Sequence, residues 1–297
     1  ALLSEYKPGG VLLVQNNIGT DEQVRALTAA IAASNPVTAP FRAIDQEGGL
    51  VTRLGGDPAP DAPTMGQLPD EDVTALARAR AEFVAGFGFD INFAPVADIA
   101  WTPDSFMTGR AFGSEPALVA EKVAAYVEGA DGAAVLHCAK HFPGHGRPST
   151  DSHLEMPTVD LDKATWLETD ALPFAAAIDA GVPMVMLGHL AYPQWDALPA
   201  SISPVAVKTL REDLGFDRVI VSDDLGMGAL SAFSGTEVVD KAIEAGLDML
   251  LYAAPPVPPA ELIDHLTARV EAGEVEPARI DESVRRLLKM KLGLPRA

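Results

Sequence analysis

The sequence predicts an α/β fold, a single-domain (β/α)8 TIM-type barrel, on three observations. Short apolar runs rich in β-branched residues recur along the chain and read as buried strands. Segments with helical spacing lie between them, and strand–helix alternation implies right-handed crossovers and a parallel sheet. The 297 residues show no composition break, short internal repeat or low-complexity tract, and that length suits one eight-fold barrel. A doubly wound open sheet is the rival architecture.

Taken in order, the first strand is expected over 10–14 and the first helix over 21–33. A strand over 41–45 leads into the Pro/Gly-rich stretch 55–66, which reads as a loop because it is neither long nor strongly polar. Helix 70–87, strand 91–96, helix 116–129 and strand 134–140 follow. Helix 163–180, strand 184–189, helix 204–214, strand 218–223, helix 237–245 and strand 249–252 continue the alternation. The Pro-rich run 255–259 is a loop, and helices over 259–272 and 282–292 complete the pattern. Seven strands are counted, one fewer than a closed barrel requires.

With 48% hydrophobic residues the chain has the material for one large core, which excludes disorder. Forty-two acidic against 22 basic side chains make a formal charge of -20, a field that repels phosphate backbones and anionic lipid surfaces, so neither nucleic acid nor membrane insertion is expected. Apolar stretches such as 181–190 reach about ten residues, well short of the roughly 20 that span a bilayer. The lone Cys138 excludes an internal disulfide and a cysteine-based zinc cluster. The opening Ala1-Leu2-Leu3-Ser4 lacks a basic segment ahead of an apolar one, yet a cleaved leader would leave the same start. Cytoplasm and cell envelope both stay open.

In a barrel of this class, function resides in polar residues at the carboxyl ends of strands. The densest such feature is Lys140-His141-Phe142-Pro143-Gly144-His145-Gly146, followed by Asp151-Ser152-His153. Four of the six histidines, His137, His141, His145 and His153, fall in this neighbourhood. Any one alone would read as a structural histidine, but the cluster starts where an apolar strand ends, on a rigid Pro/Gly loop. Asp151 beside His153 would set the imidazole tautomer and favour its protonated form, making His153 a proton donor. Zinc is the competing use, but the i, i+4 spacing of His141 and His145 aligns two ligands only on a helix, and Phe-Pro-Gly forbids one.

The run 219–222 ends in Asp223-Asp224-Leu225-Gly226, which puts Asp223 at the barrel mouth as a candidate nucleophile, while Asp224 could cap the next helix. Asp45-Gln46-Glu47-Gly48-Gly49 with Arg53 combines an acceptor and a fork of donors suited to vicinal hydroxyls, or else is a solvated ion pair. Asp98 and Arg110 could touch a ligand or pair with each other to hold a loop. His189 repeats the pattern of a polar residue at a strand end. Met227 and Trp101 fit either a substrate wall or packing.

These motifs, with Asn92-Phe93-Ala94-Pro95-Val96-Ala97-Asp98 and Gly109-Arg110-Ala111-Phe112-Gly113, occur in order from about residue 10 to about residue 230. Together they resemble glycoside hydrolase family 3, specifically its single-domain β-N-acetylglucosaminidase (β-N-acetylhexosaminidase) branch. The resemblance implies a retaining, two-step hydrolysis with Asp223 as nucleophile, His153 as general acid/base and Asp151 as its dyad partner. It implies substrate binding by Asp45, Arg53, Arg110, Lys140 and His141, with His189 as an addition.

No metal and no organic cofactor are expected. The implied substrate is a small glycan: GlcNAc-containing peptidoglycan fragments (muropeptides), disaccharides or related β-linked glycans. The expected assembly is a monomer with 1–297 as one catalytic barrel domain. β-Glucosidase and GlcNAc phosphorylase chemistries are the alternatives within the family; a metal-dependent barrel hydrolase and a non-catalytic sugar-binding barrel are those outside it. Barrels of the family carry an extra opening strand before the first helix, so the resemblance implies a first strand that is missing or atypical here, in agreement with the count of seven.

Overall fold

The computed structural model describes residues 2–35, 37–150, 152 and 154–294. After a short helix α1 (Leu2–Tyr6), strand β1 (Gly10–Leu13) pairs in parallel with β2 (Phe41–Ile44) across α2 (Asp21–Ala33). The Thr20 hydroxyl accepts from the Gln23 amide and caps α2. A one-turn helix α3 (Ala62–Met65), capped by Asp61, interrupts the stretch expected to be loop throughout. Then come α4 (Asp70–Ala85), β3 (Ile91–Asn92), α5 (Pro116–Ala130) and β4 (Leu136–Phe142). Beyond these lie α6 (Lys163–Glu168), α7 (Leu172–Asp179) and β5 (Met184–Leu187). A hairpin of β6 (Ala191–Tyr192) and β7 (Asp196–Pro199) leads to α8 (Pro204–Lys208), β8 (Val219–Ser222), α9 (Gly235–Ala245), α10 (Pro259–Glu271) and α11 (Pro277–Gly293). The six-stranded sheet runs β1-β2-β3-β4-β5-β8, all parallel, with the helices outside. It is a curled parallel sheet forming a half-barrel. No helix among the described residues is long and apolar enough to cross a membrane.

Departures from the expected elements have local causes. The expected helix 163–180 breaks into α6 and α7 because Pro173 lacks an N–H and its ring would collide with the carbonyl four residues back, at Thr169. Strand β3 stops after Asn92 although the apolar run goes on, since Pro95 offers no donor and only an isolated bridge, Val96 to Lys140, continues the pairing. The seventh expected strand, 249–252, runs beside β8 but makes one bridge, Met249 to Val221. There the Leu251 amide donates to the Ser222 hydroxyl (2.9 Å) instead of to a carbonyl. The hairpin was not anticipated, because Pro193 and Pro199 bracket too few apolar residues to read as strands.

Side-chain parity organises the interior. Phe41 and Ala43, Ile91 and Phe93, Cys138, Met184 and Met186, and Val219 and Val221 form one buried cluster inside the curl. Alternate residues such as Val185, Leu187 and Ile220 join the larger cluster beneath the helices. Buried Asp248 ties α11 to β8: it accepts from Arg211 Nη2 (2.7 Å), Arg286 Nη1 (2.9 Å), Ser283 Oγ (2.7 Å) and the Ile220 amide (2.9 Å).

Candidate active site

Following the interior parity to the carboxyl end of each strand, or one step past it, predicts which residues enter the mouth of the curl. Val14 follows Leu12, Asp45 follows Ala43, Lys140 follows Cys138 and Asp223 follows Val221. All four line a cavity of about 220 Å³. That is small beside the roughly 300–1,000 Å³ of pockets for drug-sized ligands, and suits a single sugar ring. On β5 the same phase, Met184 and Met186, leads to Gly188, not to His189. A register irregularity in β4 between Ala139 and Phe142 places the consecutive residues Lys140 and His141 both on the cavity wall.

At the centre of the site is an ion network that the sequence reading had divided differently. Lys140 Nζ, 3% exposed, donates to Asp45 Oδ1 (2.7 Å) and Glu47 Oε1 (2.6 Å). Arg110 grips Glu47 with two parallel bonds, Nε to Oε2 at 2.9 Å and Nη2 to Oε1 at 2.7 Å. Burial by itself would raise the Glu47 carboxyl, but the charges of Lys140 and Arg110 outweigh it and hold the group down at about 2. Arg110 and Lys140 are both raised against the opposing effect of burial, Lys140 by Asp45 and Glu47 and Arg110 mainly by Glu47. Glu47 had no assigned role in the sequence reading. Its signal was parity with Asp45, together with two cations in the motif set that needed an anion.

Asp98 does not pair with Arg110, correcting one of the two expected roles. It is fully buried under the 140–146 loop, accepting from His141 Nδ1 (2.7 Å), the His141 amide (3.2 Å) and the His145 amide (2.6 Å). Burial opposes its ionisation, but His141 and the His145 amide lower its pKa overall. Because a carboxylate only accepts, His141 carries its proton on Nδ1 and presents Nε2 as its second nitrogen. Gly146 packs so closely on Ile99 that a Cβ would lie 1.7 Å from its carbonyl oxygen. Across the loop, Arg147 forms a bidentate pair with Asp170 and lies 4.1 Å over Trp101, whose Nε1 also donates to Asp170. Trp101 therefore packs and anchors, whereas Met227 lines the cavity.

Arg53 reaches the cavity through Gln46, whose buried Oε1 accepts the Arg53 and Leu54 amides (both 2.9 Å). The Arg53 Nε is buried with no partner among the described residues, a donor aimed at a site that a ligand could fill. The turn after Glu47 needs glycine: Gly48 has φ +91°, and a Cβ there would sit 2.4 Å from the buried Arg80 guanidinium.

Asp223 lines the cavity with Oδ1 accepting the Asp224 amide at 2.8 Å. Burial would raise its pKa; the charges of His141 and His189 when protonated, that amide, and Lys140 bring it down to about 2, so it is ionised at neutral pH. Asp224 is not a helix cap, correcting the alternative reading: its Oδ1 accepts the Gly226 and Ala253 amides, and Ser234 caps α9. His189 is also corrected. It is fully buried, absent from the cavity wall, and both its nitrogens bond to protein, Nδ1 to Ser201 Oγ (2.6 Å) and Nε2 to the Asp224 carbonyl (2.8 Å).

Asp151 and His153 lie outside the described residues. Ser152 between them lines the cavity, and its Oγ meets His145 Nε2 at 2.8 Å. His145, lowered to about 4 by burial and by His141, is neutral at neutral pH. His141 and His145, expected to be kept apart without a helix, meet with ring centroids 6.0 Å apart. Each is occupied separately, by Asp98 and Ser152, and no group of three metal-ligating side chains occurs among the described residues.

The chain is similar to known proteins over nearly its whole length. It is 37% identical to "Beta-hexosaminidase LpqI" of Mycobacterium tuberculosis over 309 residues, covering 98% of this chain and 77% of that protein. It is likewise 37% identical to "Beta-hexosaminidase" of Bordetella pertussis, covering 94% of this chain and 81% of the relative. Among solved structures, a glycoside hydrolase family 3 β-N-acetylglucosaminidase from Paenibacillus sp. str. FPU-7 superposes with a TM-score of 0.92 at 34% identity. The match covers 98% of this chain, which spans 57% of the length of that structure. Residues 1–290 match the N terminal domain of glycosyl hydrolase family 3, and with the carboxylates, cations and strand-end geometry described above, the chain belongs to that family.

Proposed function

We propose that the protein is a retaining exo-β-N-acetylglucosaminidase that releases terminal GlcNAc from peptidoglycan fragments or related β-linked glycans. The observation that carries this reading is Asp223, an ionised carboxylate lining a cavity of one-sugar size opposite the donors Arg53, Arg110, Lys140 and His141. In the first step an Asp223 oxygen bonds to the anomeric carbon while the bond to the leaving oxygen breaks and His153 supplies that oxygen with a proton. In the second step His153 takes a proton from water, water attacks the anomeric carbon, and Asp223 leaves with the β configuration restored. Asp151 would hold the His153 tautomer. The cavity position of Ser152 supports a catalytic role for its two sequence neighbours. Once it has given up its proton, the His153 imidazole is neutral and adds no second negative charge beside Asp223.

Asp45 and the donor set Arg53, Arg110, Lys140 and His141 would bind the sugar hydroxyls and N-acetyl group. The names of the β-hexosaminidase relatives support the N-acetyl preference. We further infer that the curled sheet is an arc of a (β/α)8 barrel. Residues of β1 and of the 249–252 segment line one mostly apolar cavity of about 500 Å³, which supports their facing each other across the barrel seam.

Paired chromogenic substrates test the reading, β-N-acetylglucosaminide against β-glucoside, with and without a strong chelator. Chelator-insensitive release from the N-acetyl substrate is expected, with β-configured GlcNAc as the first product by proton NMR. Release from the glucoside alone would move the protein to β-glucosidase chemistry, and an α product would overturn the two-step mechanism. Asp98→Asn, which replaces the charged acceptor of His141 Nδ1 with a neutral amide that can also turn its NH2 toward the ring, should raise KM roughly 10-fold with the fold intact. An unchanged KM would show that His141 does not bind substrate.

A further inference from the structure

His189 occupies a strand end yet faces away from the cavity, and its two bonds define its protonation. A backbone carbonyl only accepts, so Nε2 carries the hydrogen and donates to the Asp224 oxygen at 2.8 Å. Nδ1 then accepts the Ser201 hydroxyl at 2.6 Å, and the neutral ring is fully satisfied without solvent. Burial lowers the His189 pKa and keeps it neutral. Ser201 is itself held: it sits in the turn Ala200–Ile202 that follows the β6–β7 hairpin, and its amide donates to the Gly188 carbonyl at 3.2 Å.

Asp224 is held at its carbonyl, its amide and its Oδ1. Its carbonyl accepts from His189 and from the Met227 amide (3.0 Å), its carboxylate accepts two more amides, and its own amide donates to Asp223 Oδ1. The direction of that amide sets which Asp223 oxygen is engaged and which stays open to the cavity. Of the bonds on Asp224, those from Met227, Gly226 and Ala253 come from its own turn or from the adjoining 249–254 segment. Among the described residues, only His189 ties Asp224 itself across to the end of β5.

We propose that His189, with Ser201 behind it, is a positioning residue for the reaction: it fixes the Asp224 carbonyl so that the Asp224 amide stays on Asp223 Oδ1 and aims the other oxygen at the sugar. This role rests on reading Asp223 as the nucleophile, and it replaces substrate contact as the function of His189. Loss of the bond misaims the carboxylate by a fraction of an ångström without removing any group that touches substrate, so the cost falls on kcat and not on KM. It also removes an amide that stabilises the ionised carboxylate, and with the ring goes the His189 charge that lowers Asp223 when protonated, so the Asp223 pKa rises on both counts; Ser201→Ala keeps the ring and isolates the first. The other charged or titratable groups around Asp223 are Lys140, His141 and Cys138 on β4, and His145 on the loop after it. None of these is altered by the substitutions below.

The experiment compares wild type with His189→Ala, His189→Gln and Ser201→Ala, using an aryl β-N-acetylglucosaminide for kinetics. The carboxyl of Asp223 is followed by carbon NMR, assigned through its absence in Asp223→Asn. His189→Ala should lower kcat roughly 100-fold with KM within about threefold. It should also move the Asp223 titration, and with it the acid limb of kcat, upward by about one unit. Gln retains an N–H donor and should recover most of the loss; Ser201→Ala should act in the same direction by a smaller factor, and it carries the test if His189→Ala fails to fold. A raised KM with unchanged kcat would make His189 a substrate contact and overturn the proposal. Equal losses in Ala and Gln with an unmoved Asp223 titration would reduce it to a packing role and overturn it as well. If wild type leaves the substrate intact, the glycosidase reading fails, while the NMR titration still decides whether His189 governs Asp223.

Discussion

Asp223→Ala is expected to lower kcat by roughly 10⁴-fold or more while leaving the circular dichroism spectrum and the melting transition in place. The side chain faces a cavity and not the core, so its removal creates no dry void among packed apolar groups. What disappears is the atom that bonds to the anomeric carbon, and among the described residues the other carboxylates on the cavity wall, Asp45, Glu47 and Asp224, are each tied to other partners. Asp224, its neighbour, is committed to the Gly226 and Ala253 amides. Asp45 is held by Lys140. A small anion such as azide, added with a substrate bearing a good leaving group, should enter the vacated space and restore turnover with an α-glycosyl product. A variant that keeps wild-type turnover would end the assignment of Asp223 as nucleophile.

Glu47→Gln is expected to cause the largest loss of stability of any single change at the site, about 3–5 kcal/mol, because it leaves two buried cations short of their shared anion. Lys140 retains Asp45, but Arg110 keeps only a neutral amide in place of a bidentate carboxylate. The pH dependence follows from linkage. Glu47 is depressed from its ordinary 4.5 to about 2 in the folded protein. Its contribution is therefore complete above about 4.5 and is lost as pH falls through about 2. Denaturant titrations between pH ~5 and ~2 should show wild type losing stability more steeply than Glu47→Gln. Parallel curves would mean that the Lys140–Glu47–Arg110 network does not stabilise the fold. KM for the N-acetyl substrate should rise in the same variant, since both cations lose the geometry that aims them into the cavity.

Much of this was legible before any coordinates. Asp45, Lys140 and Asp223 were identified because each ends an apolar run, and a strand end in a parallel barrel is a fixed address for polar side chains. The strands themselves were legible because burial on both faces makes them continuous apolar segments. The break at Thr169 and the early end of β3 also have local causes visible in the sequence, Pro173 and Pro95, whereas the need for Gly48 rests on a positive φ that only the structure shows.

Other features depend on which partner a side chain meets across tens of residues, and a single sequence does not encode that choice locally. Arg110 is 63 positions from Glu47 and Asp98 is 43 from His141, so pairing Asp98 with Arg110 was as reasonable from sequence as the arrangement found. The anion that satisfies a buried cation is decided by which loops pack together, since desolvation forces a partner without naming it. His189 shows the same limit from the other side. Its position after a strand end was read correctly, yet the two-residue period of β5 gives the cavity-facing place to Gly188, and the hairpin that brings Ser201 to His189 had no signal in the sequence. The sequence by itself determined the alternating α/β architecture, the strand-end residues and the family; the tertiary structure decided which of those residues face the cavity and which hold the others, because parity and long-range charge pairing are settled only when the sheet curls and the loops close over its mouth.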